Sequence, residues 1–161
     1  MGIITFFDAI SVIWRNSLEA GFTLRGAVDF GQIYWDEKEI IGPSFIKAYT
    51  LEQQFAKTSR IIVSSEFNQH LLRIFTGQSS FWNEKILEVL RKDIDGYLIL
   101  NPQTLYSLKE DEKDEDKAHV VNLIKNLRDK TKGINREKYA PLLAALDSDL
   151  YNLNKEDLGK Y

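Results

Sequence analysis

A guanidinium and a carboxylate, Arg25 and Asp29, stand four positions apart in a segment whose apolar residues alternate with period two. That spacing places both on one face of an extended strand, roughly 13 Å apart at the usual rise, with the small Ala27 between them and Gly31 beyond. Such a face suits a solvated surface, a contact with a dimer partner, or a seat for a flat polar ligand. Ile33 and Trp35 share it near a hairpin tip and tilt the reading towards an interface. Other candidates are sparser. Asp93-Ile94-Asp95-Gly96 offers two carboxylates but lacks the remaining ligands of a calcium loop, so it reads as a turn. His70 falls in an apolar helical pattern and reads as a packing or surface residue, as does His119 at a helix start. Trp14, Trp35 and Trp82 suit anchors of a core or an interface.

Composition removes several classes of chemistry. The chain has 161 residues, enough for one domain with a sizeable core, and is 43% hydrophobic and 28% charged, which excludes wholesale disorder. With no cysteine there is no disulfide framework, thiolate metal site or cysteine nucleophile, and a reducing cytoplasm is the expected location. Two distant histidines are a poor basis for zinc or a Ser-His-Asp relay. A net charge of -3 argues against a broad nucleic-acid-binding face. The segment Met1–Trp14 carries Asp8, has no basic leader and is too short to cross a bilayer, so neither a signal peptide nor a membrane anchor is expected. P-loop, dinucleotide-glycine, zinc-protease and nucleophile-elbow motifs are all missing from the sequence.

The elements that must carry these residues follow from periodicity. Ile3, Phe7, Ile10, Trp14 and Leu18 recur at helical spacing and predict a helix to about Ala20, stopped by Gly21. Residues 22–35 predict one long strand, with Asp36–Glu39 a polar turn and Ile40-Ile41 the returning half of a hairpin. Gly42-Pro43 opens a helix expected to reach Lys57. Arg60–Val63 reads as a strand, Ser64 or Ser65 as a cap of a helix to Phe75 ended by Gly77, residues 81–91 as an amphipathic helix, and Tyr97–Leu100 as a strand. Asn101-Pro102 repeats the cap-plus-proline signal, and the charged run Lys109–Lys117 reads as a solvated loop or helix start. Val120, Leu123, Ile124 and Leu127 form one helical face closed by Gly133. Tyr139, Leu142, Leu143, Leu146, Leu150 and Leu153 form another, giving an antiparallel helical pair.

Arg25-Gly26-Ala27-Val28, Gly31-Gln32-Ile33-Tyr34, Ile41-Gly42-Pro43, Ala48-Tyr49 and Leu51-Glu52 resemble the central segment of class III nucleotide cyclase homology domains. The likeness is greatest to the bacterial pyrimidine cyclases of anti-phage defence. Asp93–Tyr97 and Lys138–Leu142 resemble that branch's C-terminal part, so the resemblance spans about Phe6 to Tyr151 through individually short motifs. It implies an α+β fold: a ferredoxin-like, palm-type antiparallel sheet with helices on one face, incomplete where an opening strand would lie, plus the C-terminal helical pair. Residues 1–161 form a single domain, with 1–100 the palm-like core and 101–161 mainly helical.

In active relatives two aspartates hold two divalent metal ions that activate the ribose 3′-hydroxyl and neutralise the triphosphate. Both aspartates lie well upstream of the Arg-Gly segment, and this chain starts too late to contain them. Asp8 stands in a Phe-Asp-x-Ile context but only seventeen positions before Arg25 and within a helix, so no metal ligand is assigned. Mg²⁺ or Mn²⁺ is expected only if the missing segment is supplied. Where purine cyclases place a base-selecting aspartate, a ribose-positioning asparagine and a phosphate-stabilising arginine, this chain has Ile40, Ile46 and Thr50, which excludes purine cyclisation.

The sequence therefore reads as a cyclase-like domain, truncated or degenerate and inactive alone, that acts through homodimerisation or binding of a nucleoside triphosphate. The candidate nucleotide-binding or dimer face comprises Arg25, Asp29, Tyr34, Trp35 and Tyr49. Two alternatives stay open: the C-terminal part of an active pyrimidine cyclase making cyclic UMP or cyclic CMP, and an unrelated α+β interaction module.

Overall fold

The apolar spacing of the N-terminal segment produces the first helix of the computed structural model, which describes residues 2–75, 80–106 and 111–147. Helix α1 (Gly2–Glu19) buries Phe7, Trp14 and Leu18. It ends where Gly21 adopts a φ of 91°, as the glycine predicted. Phe22 N–H then reaches back to Ser17 O at 3.0 Å and Gly21 N–H to Leu18 O at 3.1 Å, the paired bonds of a Schellman cap.

The long strand expected over residues 22–35 is broken in two. Only β1 (Gly26–Val28) and β2 (Tyr34–Trp35) are strands, and they belong to different sheets. Between them the alternation persists but the backbone leaves the ladder, and Phe30 stacks on His70, with ring centroids 3.4 Å apart and planes at 13°. The hairpin itself is as expected: β2 pairs antiparallel with β3 (Ile40–Ile41), Tyr34 opposite Ile41 and Trp35 opposite Ile40. Helix α2 (Pro43–Gln54) starts at the predicted proline and ends three residues before Lys57. Strand β4 (Ile61–Val63) follows, then α3 (Ser65–Phe75), whose Phe67 N–H donates to the capping Ser64 Oγ at 3.0 Å. Gly77 lies outside the described residues.

Helix α4 (Ser80–Val89) stops short of Arg91, and Leu90–Lys92 forms a strand, β5, which periodicity assigned to the helix. Arg91 is buried and donates to Ala145 O at 2.5 Å. The Asp95-Gly96 turn leads into β6 (Leu98–Leu100), and Asn101 caps a short 3-10 helix, Pro102–Leu105, through Gln103 N–H. The charged run enters α5 (Lys113–Lys130), as a helix start. A 3-10 stretch, Gly133–Tyr139, precedes α6 (Ala140–Asp147). Leu150 and Leu153 lie outside the described residues.

The four-stranded sheet has the order β1-β4-β6-β5. It is mixed rather than antiparallel throughout: β1 and β4 run parallel, in register Gly26↔Ile61 to Val28↔Val63, while β4–β6 and β6–β5 are antiparallel. A parallel neighbour requires a crossover, which residues 29–60 and α2 supply. The four strands are consecutive neighbours, so no position inside the ladder is vacant.

The helical layer lies on the main-core face, and a smaller cluster packs on the other. Val28, Ile61, Val63, Leu98 and Leu100 point into the main core with Phe7, Trp14 and Leu18 of α1, Ile124 of α5 and Leu146 of α6. The alternate residues Ala27, Ile62 and Ile99 face the other side and pack with Ala56, just beyond α2. The fold is thus α+β, a mixed sheet with a small two-stranded arm, and no described helix is long and apolar enough to cross a membrane.

Candidate functional site

Among the described residues strand β1 is an edge strand, and its free side opens into a groove of about 400 Å³. Phe6 and Ile10 of α1 form one wall, Phe45 and Ala48 of α2 another, and Ile33, just before the arm, and Ile40, opposite Trp35 in the arm, also line it. Arg25 and Asp29 both line it, as their spacing suggests, but each is held by a different partner. Arg25 Nε pairs with Glu52 Oε1 of α2 at 2.6 Å, and Asp29 Oδ1 accepts a hydrogen bond from Ser64 Oγ. Ser64 therefore joins β1 to the start of α3 while it caps that helix.

Tyr34 and Trp35 stand on the arm, outside the groove. Tyr34 is exposed and its hydroxyl donates to Asp36 Oδ2 at 2.9 Å. Asp36 Oδ1 also accepts from Lys38 N–H at 2.8 Å and Glu39 N–H at 3.0 Å. The Lys38 amide first, then the Tyr34 hydroxyl and the Glu39 amide, hold the Asp36 carboxyl below the usual carboxylate range. Trp35 is 72% exposed. Tyr49 lies on the outer face of α2, one turn beyond Phe45, and is exposed as well.

Arg25, Asp29, Tyr34, Trp35 and Tyr49 thus occupy one corner of the molecule, the first two in the groove and the others on the surface around it. Periodicity did not single out the groove walls, Phe6, Ile10, Phe45 and Ala48. The signal for them was present: α1 and α2 carry more large apolar residues than one buried stripe needs, and Phe6, Phe45 and Ile46 remain exposed.

Local backbone geometry holds the arm in place. Gly42 has a φ of 150° and a ψ of 164°, a region essentially restricted to glycine. A Cβ there would lie 2.6 Å from Gln32 O and 2.9 Å from Ile33 Cα, so the absence of a side chain lets the chain entering α2 pass against the chain entering β2.

Among the described residues the other acidic side chains do not form the carboxylate cage that a two-metal cyclase requires. Asp93 Oδ2 is paired with Arg60 Nη1, and Asp95 Oδ2 lies 2.6 Å from Arg60 Nη2. Burial opposes the Arg60 charge, but Asp95 and Asp93 outweigh it and hold its pKa up. A second cavity, about 340 Å³, is bounded by Ser65, Asp95 and Tyr97, and its carboxylate is the one already committed to Arg60. Asp8 is exposed on α1. Among the described residues no three acidic or histidine side chains converge on a point. This donor set does not fit a pair of divalent ions, and no chemical step is assigned to them.

His70 packs flat on Phe30, and exposed His119 meets Glu19 at 2.9 Å, linking α5 to α1. Trp14 is a core anchor whose Nε1 donates to Thr23 Oγ1 at 3.1 Å. The side chain of Trp82 lies outside the described residues. Compared with models of protein families, with curated proteins and with solved structures, the chain matches none of them.

Proposed function

We propose that this chain is a cyclase-like domain that works by association, pairing with a second copy through the corner formed by the arm and α2, and that it does not turn over nucleotide by itself. One observation carries the reading. Ile33, Tyr34, Trp35, Ile40, Ile41, Phe45, Ile46 and Tyr49 are each between 43% and 72% exposed, and all but Ile33, which directly precedes β2, sit on three consecutive elements. From the usual areas of such side chains this amounts to roughly 800 Å² of exposed apolar surface, spread over both faces of the arm and the outer side of α2. Large apolar side chains gathered this densely on short neighbouring elements mark interaction surfaces more often than singly scattered ones do.

The sequence resemblance adds what such a pair would hold, a nucleoside triphosphate between the copies. Arg25 and Asp29 face the groove at that corner. Two measurements test the proposal. Sedimentation velocity over a hundredfold range of concentration is expected to show a reversible dimer, and a monomer throughout overturns the association. Incubation of the chain with each ribonucleoside triphosphate and Mn²⁺ is expected to leave the nucleotides intact, and a cyclic monophosphate product overturns the claim that it does not act alone.

A further inference from the structure

We infer that the open edge of β1 is a strand-addition site and that its occupant is the β2–β3 arm of a second copy, exchanged reciprocally about a two-fold axis. The inference rests on the dimer proposed above and specifies how that dimer is built.

The backbone supplies the first argument. Gly26 N–H donates to Arg60 O at 3.0 Å and Val28 O accepts from Ser64 N–H at 2.9 Å, so these two residues turn their peptide groups towards β4. In a parallel ladder the residue between them faces the other way, and the N–H and C=O of Ala27 point out of the sheet into the groove. An edge of this kind is a template for an incoming strand.

The arm is the complementary half. Strands β2 and β3 pair only with each other among the described residues, so each has an outer edge without a strand neighbour. Their side chains are all exposed and all apolar or aromatic: Tyr34, Trp35, Ile40 and Ile41. The groove walls are Phe6, Ile10, Phe45 and Ala48, so apolar surface would meet apolar surface.

Position favours a second copy over any other occupant. Donor and acceptor adjoin, since Ile40 of the arm and Ile33, which directly precedes it, also line the groove. A two-fold axis through that corner takes each arm to the other chain's groove in one operation and closes the assembly at two copies. The roughly 800 Å² exposed there is the upper bound on what one copy can bury, because the arm's alternate side chains face opposite ways, and it is of the size that one partner contributes to a standard interface. β1 is three residues long, so the added ladder holds only a few main-chain hydrogen bonds, and the apolar side chains contribute most of the stabilisation.

The chain has no cysteine, which makes disulfide mapping direct. Protein carrying Ala27→Cys is mixed with size-tagged protein carrying Tyr34→Cys or Ile41→Cys and oxidised. A disulfide-linked heterodimer is expected with at least one arm variant, because neighbouring strands bring Cα atoms within bonding reach. None is expected with Lys132→Cys, which lies exposed beyond α5. Should Ala27→Cys fail to fold, the unmodified protein gives a second readout: the Ala27 amide is expected to exchange at least tenfold more slowly at dimer than at monomer concentration. A dimer that shows neither the cross-link nor Ala27 protection overturns strand addition and leaves the dimer standing. Preferential linkage of Ala27→Cys to itself overturns the arm as occupant in favour of edge-to-edge β1 pairing. A monomer at every concentration removes both proposals.

Discussion

Replacing Trp35 with alanine separates association from folding more sharply than any other single change. The indole is 72% exposed, so it contributes little to the folded chain alone, and roughly 150 Å² of it is available for burial. At about 25 cal/mol per Å² its coverage is worth about 4 kcal/mol before costs. Immobilisation and imperfect burial reduce this to about 2 kcal/mol per chain. A two-fold interface contains the residue twice, so the dimer is expected to lose about 4 kcal/mol, close to a thousandfold in Kd. The monomer's urea-unfolding free energy is expected to move by no more than about 0.5 kcal/mol, as for an exposed site. Sedimentation equilibrium gives the first quantity and fluorescence-monitored unfolding, reading the buried Trp14, gives the second. A Kd shift below tenfold, or an equal loss of monomer stability, refutes the reasoning.

Three further outcomes are expected. Gly42→Ala places a Cβ 2.6 Å from Gln32 O in a backbone region few residues tolerate, and should cost about 1–3 kcal/mol while displacing Tyr34 from Ile41. Gly26→Ala, whose Cβ meets nothing within 4 Å, is the control and should fall within about 0.5 kcal/mol of the parent; equal effects in urea titrations would remove the close-approach argument. Ser64→Ala removes the α3 cap and the donor to Asp29, and a loss of about 1 kcal/mol is expected by chemical unfolding. Asp36 has a folded pKa below its unfolded value, so the turn's stabilisation is complete above about pH 4 and disappears as pH falls through the folded pKa. Carboxyl NMR should find Asp36 titrating low and the hairpin amides loosening with it, and an ordinary or raised Asp36 pKa would count against the turn geometry.

Local signals carried much of the fold. Gly21 stopped α1, Gly42-Pro43 opened α2, Ser64 capped α3 and Asp36–Glu39 made the hairpin, because each is a short-range demand of the backbone. Long-range choices were not legible in the same way. Nothing near Gly26 in the sequence dictates that it runs parallel to Ile61, and the expected antiparallel sheet gave way to a mixed one. The break after Val28 has no local signal, since the alternation continues through Phe30, whose ring stacks on the distant His70. Strand β5 has none either, because Leu87, Val89 and Leu90 continue the helical pattern of α4. Arg25 and Asp29 do line one groove, yet the partners that hold them, Glu52 and Ser64, come from other elements. Tyr34 and Trp35 were visible as an apolar hairpin, whereas the walls from α1 and α2 depend on how helices dock.

The two halves of the sheet differ in how far the chain must travel to make them. β5 and β6 are joined by residues 93–97 alone, while β1 meets β4 only across residues 29–60. Loop-closure entropy lets the short hairpin form early and delays the long crossover. The arm lies inside that crossover, so it is exposed before β4 has joined β1. At high concentration during refolding, neighbouring chains therefore compete for each other's unfinished edges, and the yield of folded protein should depend on dilution.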